Sequence, residues 1–367
     1  MTQINSFHLS LAAALAMGIG LTLFSEKNWA QPTPSAASDR DIAKMAQEVS
    51  DTIQKALKES ATLDEFRAHT GHPENVLHRL MDTQPSEAVC NLLEQIDTET
   101  LLHLEEPLSH ESDIPCSAAL TQKIQNHWTM TAKRHESQRK LRQRLARTSP
   151  GTKKELPKTE VVEIDTSKAE VFYRGNLKDG QIALTFDDGP HPSRTRVILD
   201  ILKERNVQVT FFSKGQQAKS LPELVQAESR EGHSVGSHSM NHKDLSRQKA
   251  LTAQNEVIDG HAAVTAAMKP FESAAFFRFP YGAKTTSIQE FVKSKKLSTF
   301  FWNIDTLDWK LTNPAELVRY TKQQIDKNKG GILLMHDIQH QTTVALPEVL
   351  DYMAEKGITP VVFIQKR

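Results

Sequence analysis

The sequence carries no net charge: 45 Lys and Arg residues are balanced by 45 Asp and Glu. A chain without a basic excess has no general affinity for nucleic acid, and no nucleic-acid partner is expected. Cysteine is scarce, with two in 367 residues, and both, Cys90 and Cys116, lie in the N-terminal part. Long apolar runs are absent apart from Leu9 to Phe24, which is short for a spanning helix and of the right length for a signal-peptide core. No cysteine follows that run directly, which argues against a lipoprotein, and no Lys or Arg precedes it. Residues 1–30 therefore read either as a signal peptide cut between Ala30 and Gln31, or as an uncleaved N-terminal anchor, the one membrane contact the sequence offers. Both readings place the protein outside the cytoplasm, in the periplasm or cell envelope.

The densest information lies in Phe186-Asp187-Asp188-Gly189-Pro190, which closes the apolar stretch Ile182 to Thr185. A short β-type run ending in two carboxylates and a Gly-Pro turn reads as a strand that delivers polar chemistry. Gly189 would allow the turn that brings both carboxylates to one cavity. Like charges so close are costly unless a cation neutralises them. About fifty residues later His233 to Ser237 is another β-like run, leading into His238-Ser239-Met240-Asn241-His242. Two His four apart are expected on one face of a helical turn, where both imidazoles reach one ion. Read alone, the first motif is more simply a solvated turn and the second a pair of surface histidines. Together, at strand ends, Asp188, His238 and His242 form a two-His, one-carboxylate set with positions left for water.

Three further apolar runs end the same way. Ala274 to Phe277 leads into Arg278-Phe279-Pro280-Tyr281, Leu297 to Ile304 into Asp305-Thr306-Leu307-Asp308-Trp309, and Gly331 to Met335 into His336-Asp337. With these five ordered motifs, complete at every motif position over roughly residues 175–365, the chain resembles the polysaccharide deacetylases with a NodB-type domain, carbohydrate esterase family 4. The resemblance implies a divalent metal held by Asp188, His238 and His242. Zinc is expected from ligand type, with cobalt, nickel and iron left open. It also implies Asp187 as general base, oriented and kept ionised by Arg278, and His336 as general acid, held by Asp308. The Tyr281 backbone N–H would meet the oxyanion, and Trp309 and Leu334 would line the acetyl pocket. Trp309 reads equally well as a core aromatic. Asp305 is expected to cap a turn and His191 to line the groove.

Between the strand ends lie helical patterns over 193–205, 221–231, 248–268, 286–296, 314–327 and 344–356, with further strands at 207–212 and 359–365. Alternation of strand and helix implies a parallel α/β sheet with active residues at carboxyl strand ends. The resemblance specifies a distorted (β/α)7-type barrel, preceded here by a smaller all-α domain. Residues 31–40 read as a flexible leader, 148–174 as a linker and 175–367 as the NodB-type domain. The segment 41–147 is helical in pattern, over 42–57, 63–68, 74–81, 87–96, 99–104 and 118–145. Export favours a Cys90–Cys116 disulfide over two buried thiols. The segment could bind a partner or the cell wall, or cover the groove, and its pattern does not decide among them.

The leading expectation is a metal-dependent hydrolase removing N-acetyl groups from N-acetylglucosamine units of a polysaccharide. Peptidoglycan is favoured because an exported protein meets it first, and chitin-type oligomers or a biofilm glycan come next. One alternative is a non-catalytic glycan-binding or scaffold protein that retains the barrel. The other is an iron oxygenase, which leaves Asp187, Arg278 and the Asp308–His336 pair without a task.

Overall fold

The computed structural model describes residues 86–96, 116–147 and 154–366, together with positions 47, 50, 51, 55 and 101. The expected signal peptide or anchor, the leader, the helical stretches 63–68 and 74–81 and most of 42–57 and 99–104 lie outside the described residues. Among the described residues, no helix is long and apolar enough to cross a membrane.

Among the described residues, helices α1 (Ser86–Gln95) and α2 (Ser117–Arg147) precede the sheet. Strands β1 (Glu160–Ile164) and β2 (Val171–Phe172) follow. The series continues with β3 (Gln181–Asp187), α3 (Arg194–Glu204), β4 (Thr210–Ser213), α4 (Gly215–Ser220), α5 (Pro222–Arg230), β5 (Ser234–Ser237), α6 (Ala250–Met268) and β6 (Phe276–Phe277). It ends with α7 (Thr286–Ser294), β7 (Ser298–Phe300), β8 (Ile304–Asp305), α8 (Pro314–Asn328), β9 (Gly331–His336), α9 (His340–Lys356) and β10 (Thr359–Gln365). Helix starts follow local chemistry. Thr285 accepts from the Ile288 N–H at the head of α7, and Asn313 accepts from Ala315 and Glu316 ahead of Pro314 in α8.

Every strand pairing is parallel. From β3 the pairing runs through β4, β5 and β6 to β7. The return path is β8 to β9 to β3, so the interrupted run β7/β8 closes the circuit. Counting that run once, the circuit holds six strands, and β10, paired with β3 beside it, is the seventh in β-α rhythm, in keeping with the distorted parallel α/β barrel expected. β1 pairs with β10 and β2 with β7, so the stretch read as a linker is not all connector.

Side chains alternate between the two faces of each strand. Ile182, Leu184 and Phe186 of β3, with Leu333 and Met335 of β9, enter the core beneath the outer helices. Ala183, Phe212, Ile332, Val361 and Phe363 fill the barrel interior with Phe276 and Phe300. The same alternation puts Asp187 on the face of Ala183, and Leu334 and His336 on the face of Ile332. Cα register pairs Asp187 with His336.

In the helical pair, Cys90 is bonded to Cys116, the pairing expected. Val89, Leu92, Leu93, Leu120 and Ile124 are buried. Lys123 Nζ donates to the Glu94 carbonyl at 3.3 Å. Helix α2 reaches the barrel at α9.

Candidate active site

Each chemically active side chain sits where a strand ends or just beyond. Asp187 ends β3 and Asp188 follows it, His238 follows β5, Arg278 follows β6, Asp308 lies three residues past β8, and His336 ends β9. All six are buried.

The turn after β3 differs in detail from the sequence expectation. Asp188 itself takes the left-handed conformation, at φ 77°. Gly189 is required for space instead: a Cβ there would lie 2.1 Å from Asp337 Oδ2. The two histidines also do not share a helical turn. They lie in an irregular loop after β5, where Ser239 (φ 63°) and His242 (φ 58°) have positive φ. The loop still delivers both rings. His242 Nε2 lies 3.1 Å from His238 Nε2 and 2.9 Å from Asp188 Oδ1, and one ligand atom from each residue falls within 4.8 Å of the others.

These residues fit a divalent cation. His238 Nδ1 donates to the Arg278 carbonyl at 2.8 Å, and His242 Nδ1 engages the Tyr281 hydroxyl at 2.8 Å. With Nδ1 committed in each ring, Nε2 is available to ligate as a lone pair. Asp188 Oδ1 is buried without a well-formed hydrogen bond. Electrostatics also ask for positive charge at this point. Burial raises the Asp188 carboxyl, yet neighbouring His242, with Lys214 and His336, holds it well below the usual carboxylate range. Burial and neighbouring His242 keep His238 neutral, its pKa far below the usual imidazole value.

Beside the metal candidates stands an ion pair. Arg278 Nη1 donates to Asp187 Oδ1 at 2.7 Å and to Thr185 Oγ1 at 2.8 Å. Its other donors reach the Phe300 and Phe301 carbonyls, both at 3.2 Å, and its guanidinium lies 4.2 Å from the Phe212 ring centroid. Arg278 favours the ionised Asp187 carboxylate, but it is not the largest influence on it. Burial outweighs Arg278 and His336, repulsion from Asp188 adds to it, and the pKa rises to about 6. That value suits a base working near neutrality.

Across the site, His336 Nδ1 donates to Asp308 Oδ1 at 2.7 Å, and the His336 backbone N–H donates to Asp308 Oδ2 at 2.7 Å. Burial disfavours the imidazolium, but Asp308, then Asp188 and Asp187, raise its pKa to about 10. His336 is therefore a charged donor at neutral pH.

The structure brings Asp187, Asp188, His238, His242, Arg278 and Tyr281 into one contact network and sets His336 with Asp308 beside it. Tyr281, at φ 61°, donates its hydroxyl to the His242 carbonyl at 3.1 Å. Leu334 is buried on the interior face, and Trp309 is also buried. Asp305 accepts from the Leu307 N–H at 2.9 Å, the turn cap expected. His191 Nδ1 accepts from the Ser193 and Arg194 N–H groups, both at 3.3 Å, and so caps the start of α3.

Several residues escape sequence reasoning. Thr342 Oγ1 donates to Asp308 Oδ2 at 2.6 Å, and Gln341 donates to the Asp308 carbonyl. Thr195 Oγ1 donates to buried Asp337, whose carboxyl burial pushes to about 7 against that hydrogen bond. Only the His336-Asp337 adjacency hinted at Asp337. No local pattern marks Thr342, 34 residues from Asp308.

Comparison with known proteins yields a family profile described as polysaccharide deacetylase, matching residues 174–300. The peptidoglycan-N-acetylmuramic acid deacetylase PdaA of Bacillus subtilis is 31% identical over 193 residues, covering 52% of this chain and 73% of the relative. The chain belongs to the polysaccharide deacetylase family. A chitooligosaccharide deacetylase of Rhizobium leguminosarum bv. phaseoli is 32% identical over 203 residues, 50% of this chain and 87% of that one. The peptidoglycan-N-acetylglucosamine deacetylase PgdA of Listeria monocytogenes is 37% identical over 181 residues. The match takes in 48% of this polysaccharide deacetylase family member but only 36% of the Listeria protein. A solved peptidoglycan deacetylase of Bdellovibrio bacteriovorus superposes with a TM-score of 0.72 at 24% identity, over 89% of this chain and 95% of that one, which establishes shared fold.

Proposed function

We propose that this protein is a metal-dependent N-deacetylase acting on N-acetylglucosamine units of an envelope polysaccharide, with peptidoglycan as the favoured substrate. One observation carries the reading: a buried Asp188–His238–His242 cluster suited to a cation adjoins the Asp187–Arg278 ion pair, and Asp187 faces His336, which is paired with Asp308. Amide hydrolysis needs these parts together: a poised base, stabilisation of negative oxygen and a proton for the departing amine.

When bound by Asp188, His238 and His242, a divalent ion, taken as zinc, supplies Lewis-acid polarisation and lowers the pKa of nearby water. Asp187, oriented by Arg278, takes a proton from the attacking water. The water oxygen bonds to the acetyl carbon, and the Tyr281 backbone N–H donates to the oxygen that gains charge. His336 gives its proton to the amide nitrogen as the carbon–nitrogen bond breaks, leaving acetate and a free glucosamine amine. Asp308 holds the His336 ring in donating orientation throughout. Leu334 and Trp309 wall the acetyl methyl group. The apolar N-terminal run directs the protein to the envelope, where such a polymer is present.

The test is acetate release by purified protein from peptidoglycan and from chitin oligomers, after chelation and after zinc is restored. The reading expects release that chelator abolishes and zinc recovers. No release from either glycan by zinc-loaded protein refutes it.

A further inference from the structure

The helical segment has a contact the site chemistry has not used. In α2, Leu120, Ile124 and Trp128 recur every four residues and are all buried, so they share one face. The first two are buried in the segment where α2 meets α1. Trp128, 3% exposed, lies beyond them on the barrel. Its indole stacks on the His340 ring, with centroids 4.7 Å apart and planes 28° apart. The imidazole also hydrogen-bonds the Trp128 backbone, while burial and the nearby Arg194 push its pKa down to about 4. It is a neutral, packed ring.

His340 is the first residue of α9. The next two residues are Gln341 and Thr342, which donate to the Asp308 carbonyl and to Asp308 Oδ2. Asp308 in turn holds both the ring and the backbone N–H of His336. On the other side of the loop, Arg194 donates to the Ile338 carbonyl. The first turn of α9 is thus pinned between Trp128 outside and Asp308 inside.

We propose that Trp128 is a positioning residue for the general acid: by packing on His340 it sets the first turn of α9, and through Thr342 and Gln341 the orientation of Asp308 and His336. Helix α2 is, on this account, an outer support of the proton-donating half of the site. The inference rests on the deacetylase reading and assigns the segment a task within it.

A displaced acid harms only leaving groups that need a proton. Amide nitrogen does, whereas the phenolate of an aryl acetate departs without one. In the full chain loaded with zinc, Trp128→Ala should lower kcat for an N-acetylglucosamine oligomer by roughly 10-fold, within the range a general acid supplies. KM should change little, and aryl acetate hydrolysis should stay within about twofold. Trp128→Phe, which retains a stacking ring, should recover most of the amide activity. Isosteric Thr342→Val tests the inner link with the outer packing intact. It should give the same amide-selective loss, and the double variant should be no worse than the poorer single one. Equal loss on both substrates, no loss on the amide, or additive losses in the double variant overturn the inference. A wild-type protein that releases acetate from no N-acetyl glycan removes the deacetylase reading and this inference with it.

Discussion

Asp187 and His336 occupy facing positions on neighbouring strands, yet burial and partners drive them to opposite protonation states at neutral pH. As the proposed base, Asp187 has to be ionised to accept a proton, so activity should fall as pH drops through its pKa of about 6. As the proposed acid, His336 has to be protonated, so activity should fall again as pH rises toward about 10. A bound dication lowers both values, placing the limbs of the kcat/KM profile of loaded enzyme at or below these figures. Asp308→Asn removes the main influence raising His336 and should move the basic limb to lower pH, read from the same profile. Asp187→Asn should cost about 10²–10⁴ in kcat while calorimetric titration still shows zinc binding. Loss of zinc binding as well would make Asp187 a ligand instead of the base. At this scale the sequence was highly legible. The five motifs named Asp187, Asp188, His238, His242, Arg278, Asp308 and His336, which the structure brings to one site, because each proposed role needs one particular functional group. Thr342 was not legible, since any residue with a hydroxyl at the right point in space serves.

Element by element, legibility followed periodicity. The pattern over 314–327 anticipated α8, and 359–365 coincides with β10. The six-residue helix α4 carries too few turns to show a period. Helix α9 begins at His340, ahead of the Val344 start its apolar pattern suggested, because Gln341 and Thr342 are committed to Asp308. The loop after β5 was misread as a helical turn. Its shape depends on α6, which approaches so closely that a Cβ on Gly260 would lie 2.3 Å from the Ser239 carbonyl carbon and 2.6 Å from Met240 N. Gly260→Ala should therefore shift the loop carrying His238 and His242, destabilising the fold by about 1–3 kcal/mol. Zinc affinity should weaken although no ligand is touched, with thermal denaturation and zinc titration as the two readouts.

For the whole molecule, the metal candidates join the ends of β3 and β5, and the helical pair braces α9. Zinc at about 100 times its Kd should stabilise the fold by about 2.7 kcal/mol, seen as a melting temperature that rises with zinc and falls with chelator. The Cys90–Cys116 bond spans a sequence separation of 26. Closing a loop of that size restricts the unfolded chain by about 3–4 kcal/mol, so Cys90→Ser should shift the denaturation midpoint of the helical pair measured by circular dichroism. By itself the sequence determined which side chains are candidates for the site and that they end successive strands of an α/β barrel, because functional-group identity and apolar period are local properties. Only the tertiary structure decided that burial holds the Asp187 carboxyl at a pKa of about 6, that Asp188 and not Gly189 takes the left-handed turn, and that Trp128 meets His340. Burial, close approach and contacts between distant segments set those outcomes, and none of them is written in any short stretch of chain.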